Sequence, residues 1–301
     1  MRPFLTHTIA ILELPEGLRT GFALSLDILD VANRATQNLS QASIFESVVL
    51  RPGQALPAQA SVVVLPGMGS ATYEEVERVL TSEHGQWAID VMRTARQREV
   101  QIVTSCAGVF VAAAAGALDG QVATTSWFLK GELAARYPAI TVQGECVLVD
   151  GGMCMTGGAA MAHADVMLAL VERLAGGVVA DLCASYLLLD RRQTQRPYMV
   201  LMALIQHDPQ LVRAHDWVRQ HVAASFYVSD VAAQAGLGPR TLARRLGRVC
   251  GMTPIQFIQR IRVDAARELI QSGMSVEAAA AEVGYGDATA LRRVLRRHVR
   301  R

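Results

Sequence analysis

Two kinds of residue in this sequence have the type and spacing to do chemistry. One is the cysteine of Val103-Thr104-Ser105-Cys106-Ala107-Gly108, where a β-rich run stops and an alanine-rich helical stretch begins. At such a corner the thiol sits at a helix N-terminus, whose dipole lowers a thiol pKa and favours the thiolate. Gly67-Met68-Gly69, after the preceding buried run, offers backbone N–H groups to an anion or a carbonyl oxygen. The plain alternative is a small buried cysteine with glycines that only close turns. The other kind is arginine. Leu242 and Leu246 stand four apart and face a core, so Arg240, Arg244, Arg245 and Arg248 project away from it with Thr241 and Ala243. A guanidinium grips guanine O6 and N7, or a phosphate, through paired hydrogen bonds, so this face suits a major groove. A solvated arginine face is the competing reading.

The elements that must hold these residues fall into two regimes. Up to about Leu189, short β-rich runs alternate with helical stretches. Strands are predicted at Thr8–Leu14, Ile44–Leu50, Ser61–Leu65 and Val100–Ser105, then at Val122–Thr125, Thr141–Gln143, Cys146–Val149 and Met153–Thr156. Helices are predicted at Phe22–Gln37, Glu74–Leu80, Gln86–Arg98, Cys106–Ala115 and Ala159–Leu174. This alternation calls for an α/β domain, a mostly parallel sheet flanked by helices, with its ligands at the carboxyl ends of the strands. The polar stretch Asp190–Pro197 reads as a linker. Beyond it the pattern is all-α: a short helix, a glycine turn and an arginine-rich helix, written twice. Ser229 is the expected N-cap of the first short helix, and Pro239 suits the first turn of the helix after Gly236. Val276, Ala279, Ala280, Val283, Leu291 and Leu295 repeat the core positions in the second unit.

Length and composition narrow the class. The 301 residues exceed one ordinary core, and 51% hydrophobic content with 19% charged excludes a disordered chain. The longest apolar run, Val109–Ala115, is far short of a membrane span, and the amino terminus lacks the pattern of an export leader. Five scattered cysteines without a CxxC spacing indicate reduced thiols in the cytoplasm, and neither a metal site nor a cofactor is expected. Charge is divided unevenly. Residues 216–301 hold 14 arginines and 7 acids, net +7, whereas the rest holds 15 basic and 20 acidic groups, net −5. Only the tail is built to meet a polyanion.

The tail resembles the AraC/XylS-type DNA-binding domain. The resemblance rests on Arg240-x-Leu242-x-Arg244-x-Leu246, Gly251-x-x-Pro254, Phe257, Arg262, Ala266, Leu269 and Val283-Gly284-Tyr285-x-Asp287. It implies two helix-turn-helix units joined by a long helix, Pro254–Gln271, with recognition helices in successive major grooves about 34 Å apart. Carried over by position, contacts to double-stranded DNA fall to Arg240, Thr241, Ala243, Arg244 and Arg248 in the first unit. In the second they fall to Ala288, Thr289, Arg292 and Arg293. The sequence departs from the family in placing Leu246, Leu291 and Leu295 at core phenylalanine positions. It also stops at Arg301, before the residues that close the family's second unit.

The first 190 residues resemble the ThiJ/PfpI superfamily, which has the class I glutamine amidotransferase-like fold. The resemblance rests on Leu65-Pro66-Gly67, Ser105-Cys106-Ala107-Gly108, Gly116-x-Leu118-Asp119-Gly120, Ala123-Thr124-Thr125-x-Trp127 and Asp165 eight residues before Arg173. The two resemblances in this order are those of a GlxA-type transcriptional regulator. The family's histidine before the tryptophan is here Ser126, and its acid after the first strand aligns with Gly21; Glu16 substitutes only if the loop alignment slips. With no base and no acid for the thiol, the resemblance implies no enzyme. It implies a ligand pocket at Gly67, Met68, Cys106, Ala107, Ser126, Trp127 and Gly157 for a small effector, an amine or amino-acid derivative. Trp127 would offer a cation an aromatic face, or else simply pack in the core.

The expected organisation is therefore a sensor domain over residues 1–190, a linker and connecting helix over 191–215 and a double helix-turn-helix domain over 216–301. Its expected function is a cytoplasmic, homodimeric, ligand-responsive transcription regulator. A cysteine-dependent hydrolase or hydratase with a DNA-binding tail and a Cys106 redox sensor are the alternatives.

Overall fold

The computed structural model describes residues 6–40, 44–195, 199–206 and 208–299. The chain divides into two units, Met1–Gln195 and Arg196–Arg301.

The first unit runs β1 (His7–Leu12), α1 (Arg19–Ser40), β2 (Phe45–Leu50), β3 (Ala60–Leu65), α2 (Tyr73–Thr81), α3 (Glu83–Gln97) and β4 (Gln101–Ser105). A single 3-10 turn, Cys106–Gly108, leads into α4 (Val109–Ala114), followed by β5 (Val122–Ala123), α5 (Lys130–Arg136), β6 (Thr141–Val142), β7 (Leu148–Asp150), β8 (Cys154–Gly157), α6 (Ala162–Ala175) and α7 (Gly177–Tyr186). Six strands form one sheet in the order β2-β1-β3-β4-β8-β7, parallel except for β7 against β8. Register aligns Ile11 with Val64, Val64 with Val103 and Val103 with Met155. Because side chains alternate across a strand, that row lies on one face, buried with α1, α6 and α7. Ala10, Leu12, Val63, Leu65 and Ile102 point the other way, into a core shared with α2, α3 and α4. Both faces are covered, which is why the strands read as nearly continuous apolar runs.

Several expected boundaries shift for identifiable reasons. The strand expected at Val122–Thr125 ends at Ala123, because the Thr124 N–H donates sideways to Thr156 Oγ1 (2.9 Å) and the Thr125 hydroxyl to the Cys106 carbonyl (2.7 Å). The helix expected over Cys106–Ala115 is a 3-10 turn and a short helix, since Cys106 has φ +55°. α7 carried no expectation. The linker expected over Asp190–Pro197 is docked as far as Gln195. Arg191 pairs with Glu172 and Asp181, Arg192 pairs with Asp165 (2.6 Å), and Gln195 is buried. The rest of that stretch, residues 196–197, lies outside the described residues.

The second unit is all helical: α8 (Leu201–Ile205), α9 (Pro209–Gln220), α10 (Val228–Gln234), α11 (Pro239–Cys250), α12 (Pro254–Gln271), α13 (Val276–Glu282) and α14 (Ala288–Val299). α12 takes the bounds expected of it, set by Pro254 in its first turn and a reciprocal cap between Thr253 and Gln256. It serves two cores, giving Phe257 and Ile261 to one and Ala266 to the other. Ser229 is not the cap of α10. Tyr227 holds that position, with its N–H donating to Asp230 (2.7 Å), and Ser229 lies inside the helix. α9 runs through the expected boundary at 215/216, because Leu211, Ala214 and Val218 are one buried stripe of the first core.

Candidate functional site

The thiol corner is built by the backbone. β4 ends at Ser105, and the Cys106 N–H donates to the Gly158 carbonyl (2.8 Å) in the turn after β8. Cys106 then takes a left-handed conformation that costs a non-glycine residue of order 1 kcal/mol. The corner is tight enough to require glycine opposite it: a Cβ on Gly67 would lie 2.7 Å from the Cys106 Cβ. Ser126 Oγ donates to the thiol sulfur at 3.0 Å, and the Met68 carbonyl stands 4.0 Å away.

This geometry brings the expected pocket residues together and then closes them off. Gly67, Met68, Cys106, Ala107, Ser126, Trp127 and Gly157 are all buried. Met68 is expected as a ligand contact, but its side chain belongs to the core, and Trp127 packs edge to face on Phe128 at 5.2 Å. Of the two readings of Cys106, the buried thiol fits its surroundings better than the favoured thiolate. Burial pushes the Cys106 thiol up from its ordinary value, and the Ser126 hydrogen bond and backbone N–H groups only partly oppose it. A three-residue 3-10 turn carries little dipole. The Gly69 N–H, expected to be open to an anion, is spent on the Glu16 carbonyl (3.0 Å). Position 21 does lie against the site, where a Cβ would start 3.8 Å from the Gly67 nitrogen. Glu16 pairs with His84 (3.5 Å), and no contact between it and the thiol is found among the described residues.

Two residues at this site escaped the sequence reading. His163, in the first turn of α6, is fully buried between Ser25 on α1 (Nε2 to Oγ, 2.7 Å) and Ser105 (Nδ1 to Oγ, 3.0 Å). Burial holds its pKa down to about 4, so the ring is neutral. A histidine beside the apolar run Val166–Val171 is the available signal. Gln195 fills the space over the Gly158 turn. Its Oε1 accepts from the Ala159 N–H (2.7 Å), and its Nε2 donates to the carbonyls of Thr125 and Cys146, each at 3.0 Å. A Cβ on Gly158 would lie 2.3 Å from the Gln195 amide carbon, so the glycine and the glutamine are complementary. No local pattern marks a plug that comes from 37 residues away.

In the second unit Leu242 and Leu246 are buried, and Arg240, Arg244 and Arg248 stand exposed on α11 with no ion pair or hydrogen bond among the described residues. Thr241 and Ala243 are half-buried beside them. Arg245 differs from expectation. It turns inward to Asp208 (2.8 Å), the N-cap of α9. Burial alone would raise the Asp208 carboxyl, but the hydrogen bonds from Arg245 and the Leu211 and Gln210 N–H groups outweigh it and hold it below its ordinary value. Gly236 (φ +67°) and Gly251 (φ +68°) make the turns before and after α11. On α14, Asp287 caps the Ala290 N–H (2.7 Å), Leu291 is buried, and Thr289 and Arg293 are exposed, with Ala288 half-buried. Arg292 pairs with Glu277.

Comparison with known proteins bears chiefly on this unit. Residues 231–301 match the family described as a helix-turn-helix domain. The transcriptional activator RhaS of Klebsiella pneumoniae is 35% identical over 92 residues, which is 30% of this chain and 33% of that protein. RhaS of Salmonella agona is 30% identical over 134 residues, 44% of this chain and 48% of that protein. The chain thus spans a third to about half of the length of these curated relatives. Among solved structures, Drosophila melanogaster DJ-1beta superposes with a TM-score of 0.49 and 18% identity, covering 62% of this chain and 100% of that one. An AraC family transcriptional regulator from Pseudomonas putida gives 0.47 and 17%, covering 60% and 99%. The C-terminal unit thus carries a helix-turn-helix domain, and the solved structures similar to the chain include DJ-1 proteins.

Proposed function

We propose that the chain is a DNA-binding transcription regulator whose N-terminal unit senses a small molecule. The observation that carries this reading is the set of unpaired, exposed arginines, Arg240, Arg244 and Arg248, on the second helix of the first helix-turn-helix. Three free guanidinium groups on one helix face are a standing electrostatic cost unless a polyanion meets them. Selection from a pool of random-sequence duplexes, followed by titration of the full chain at rising salt, tests the reading. A recovered consensus and an affinity that falls steeply with salt are expected; affinity for no duplex at low salt overturns it.

The sensing role is read from the N-terminal unit. The thiol's partners there are a hydroxyl and a carbonyl, neither of which takes a proton near pH 7. We therefore read the unit as a ligand sensor rather than a hydrolase or hydratase. Burial pushes the Cys154 and Cys183 thiols up to about 12 and about 11, which disfavours either of them as the resolving thiolate of an oxidised Cys106. The effector is an amino-acid derivative or amine, and the working form in the cytoplasm is a homodimer that sets two pairs of recognition helices on repeated half-sites. If effector and DNA are coupled, each must change the other's affinity by the same factor. An effector Kd that is unchanged by bound duplex would remove the sensing role.

A further inference from the structure

The sheet order β2-β1-β3-β4 reverses direction at β1, since the chain leaves β1 toward β2 on one side and later fills β3 and β4 on the other. The helix after β1 lies on one face and the helices after β3 on the opposite face. The loops after β1 and β3 therefore part, and a crevice must open at the carboxyl ends of these strands. It is present, as a cavity of about 420 Å³ bounded by the segments after β1, β2 and β3. That volume suits a metabolite rather than a water cluster.

Its walls carry a definite chemistry. Leu14, Leu18, Phe22 and Pro66 make an apolar lining, and Arg19 and Arg51 supply the cations. Arg51 pairs through its Nε with Glu13 (3.0 Å), and its two terminal nitrogens have no partner among the described residues. Arg19 is the first residue of α1, exposed and without an ion pair or hydrogen bond among the described residues. No acid stands in that first turn, so a cation lies at the positive end of a 22-residue helix with nothing to offset it. With Glu13 included, the cavity has one uncompensated positive charge.

We infer that this cavity is a binding site for a small carboxylate with an apolar body, held at its carboxyl end by Arg19 and the free nitrogens of Arg51. A monoanion matches the single excess charge, and a planar carboxylate matches the guanidinium fork. A phosphate dianion would exceed that single excess charge. The inference deepens the sensor reading and rests on it for any regulatory meaning, and it keeps the amino-acid-derived side of the effector class, which brings a carboxylate. The site is separate from the closed thiol corner, although Pro66 adjoins Gly67.

Titration calorimetry on the full chain with phenylacetate, phenylacetamide and phenethylamine separates the charges at nearly constant shape. Phenylacetate should bind saturably, the amide and the amine at least tenfold more weakly, and R19Q and R51Q should each weaken phenylacetate about tenfold. R19K, which keeps the charge without the fork, should recover part of the loss. Equal binding of all three probes, unchanged affinity in R19Q, or no saturable binding of phenylacetate overturns the site. Duplex binding by the same preparation without probe belongs to the regulator reading alone. A chain that takes up phenylacetate and ignores DNA keeps the site and loses the regulator.

Discussion

Ser126 Oγ donates to Cys106 Sγ across 3.0 Å, in the place where a base would be needed to take a proton from that thiol. The bond favours the thiolate a little, whereas burial disfavours it more. Ser126→Ala should therefore lower the alkylation rate of Cys106 severalfold at mildly alkaline pH, read by mass spectrometry of each cysteine. Half-buried Cys146 serves as the internal reference, and its rate should not change. A faster Cys106 in the variant would mean that the hydroxyl shields the sulfur instead of polarising it.

Neutral His163 predicts a pH dependence of stability with a defined sign. Its pKa is about 4 in the folded chain against 6.5 for an unperturbed ring. Between those values the unfolded state binds the extra proton. Stability is thus full above about pH 6.5, falls as pH descends and has lost this contribution entirely below about pH 4. The span corresponds to something on the order of 3 kcal/mol. Urea midpoints of the wild type between pH 7 and 4 should show the fall, and His163→Gln should flatten it.

Gln195 and Gly158 form a complementary pair, and a mutant cycle reads their coupling. Gln195→Ala strands the Ala159 N–H and removes the donor shared by three carbonyls, at roughly 2 kcal/mol. Gly158→Ala alone drives a methyl into the amide. In the double variant the methyl has room, so the combined cost should fall short of the sum by about 1 kcal/mol. Fluorescence of Trp87 and Trp127 in a Trp217→Phe background reports the N-terminal unit. Strict additivity would show that the two sites do not touch in solution.

The arginines of α11 should separate by role. Arg244→Ala should cost on the order of 1–3 kcal/mol at a selected site and relax one base preference, measured by competition with single-base variants of that site. Arg245→Ala should leave base preference alone and lower thermal stability by about 1–2 kcal/mol, through the pair it makes with Asp208. The opposite assignment of the two effects would mean that α11 meets DNA with another face.

Where the sequence reading succeeded, the signal was local. Pro254 in the first turn and the cap between Thr253 and Gln256 start α12 where the family resemblance places it, and the apolar runs Ser61–Leu65 and Val100–Ser105 mark strands buried on both faces. Failures came where a distant partner decided the outcome. Arg245 belongs by spacing to the exposed face, but Asp208 lies 37 residues upstream and draws it in. Cys106 has the neighbours of an activated thiol, yet the chain packed around it removes the water that a thiolate would need. The polar composition of Asp190–Gln195 reads as a linker, and nothing near those residues marks Glu172, Asp165 and Gly158 as their anchors.

The same anchors decide where the N-terminal unit ends. The chain leaves the N-terminal unit one residue after a buried glutamine, and that glutamine is seated on the turn whose Gly158 carbonyl holds the Cys106 N–H. Anything that lifted this turn would unseat Gln195 with it, so the thiol corner and the last residue of the N-terminal unit hang on one set of hydrogen bonds.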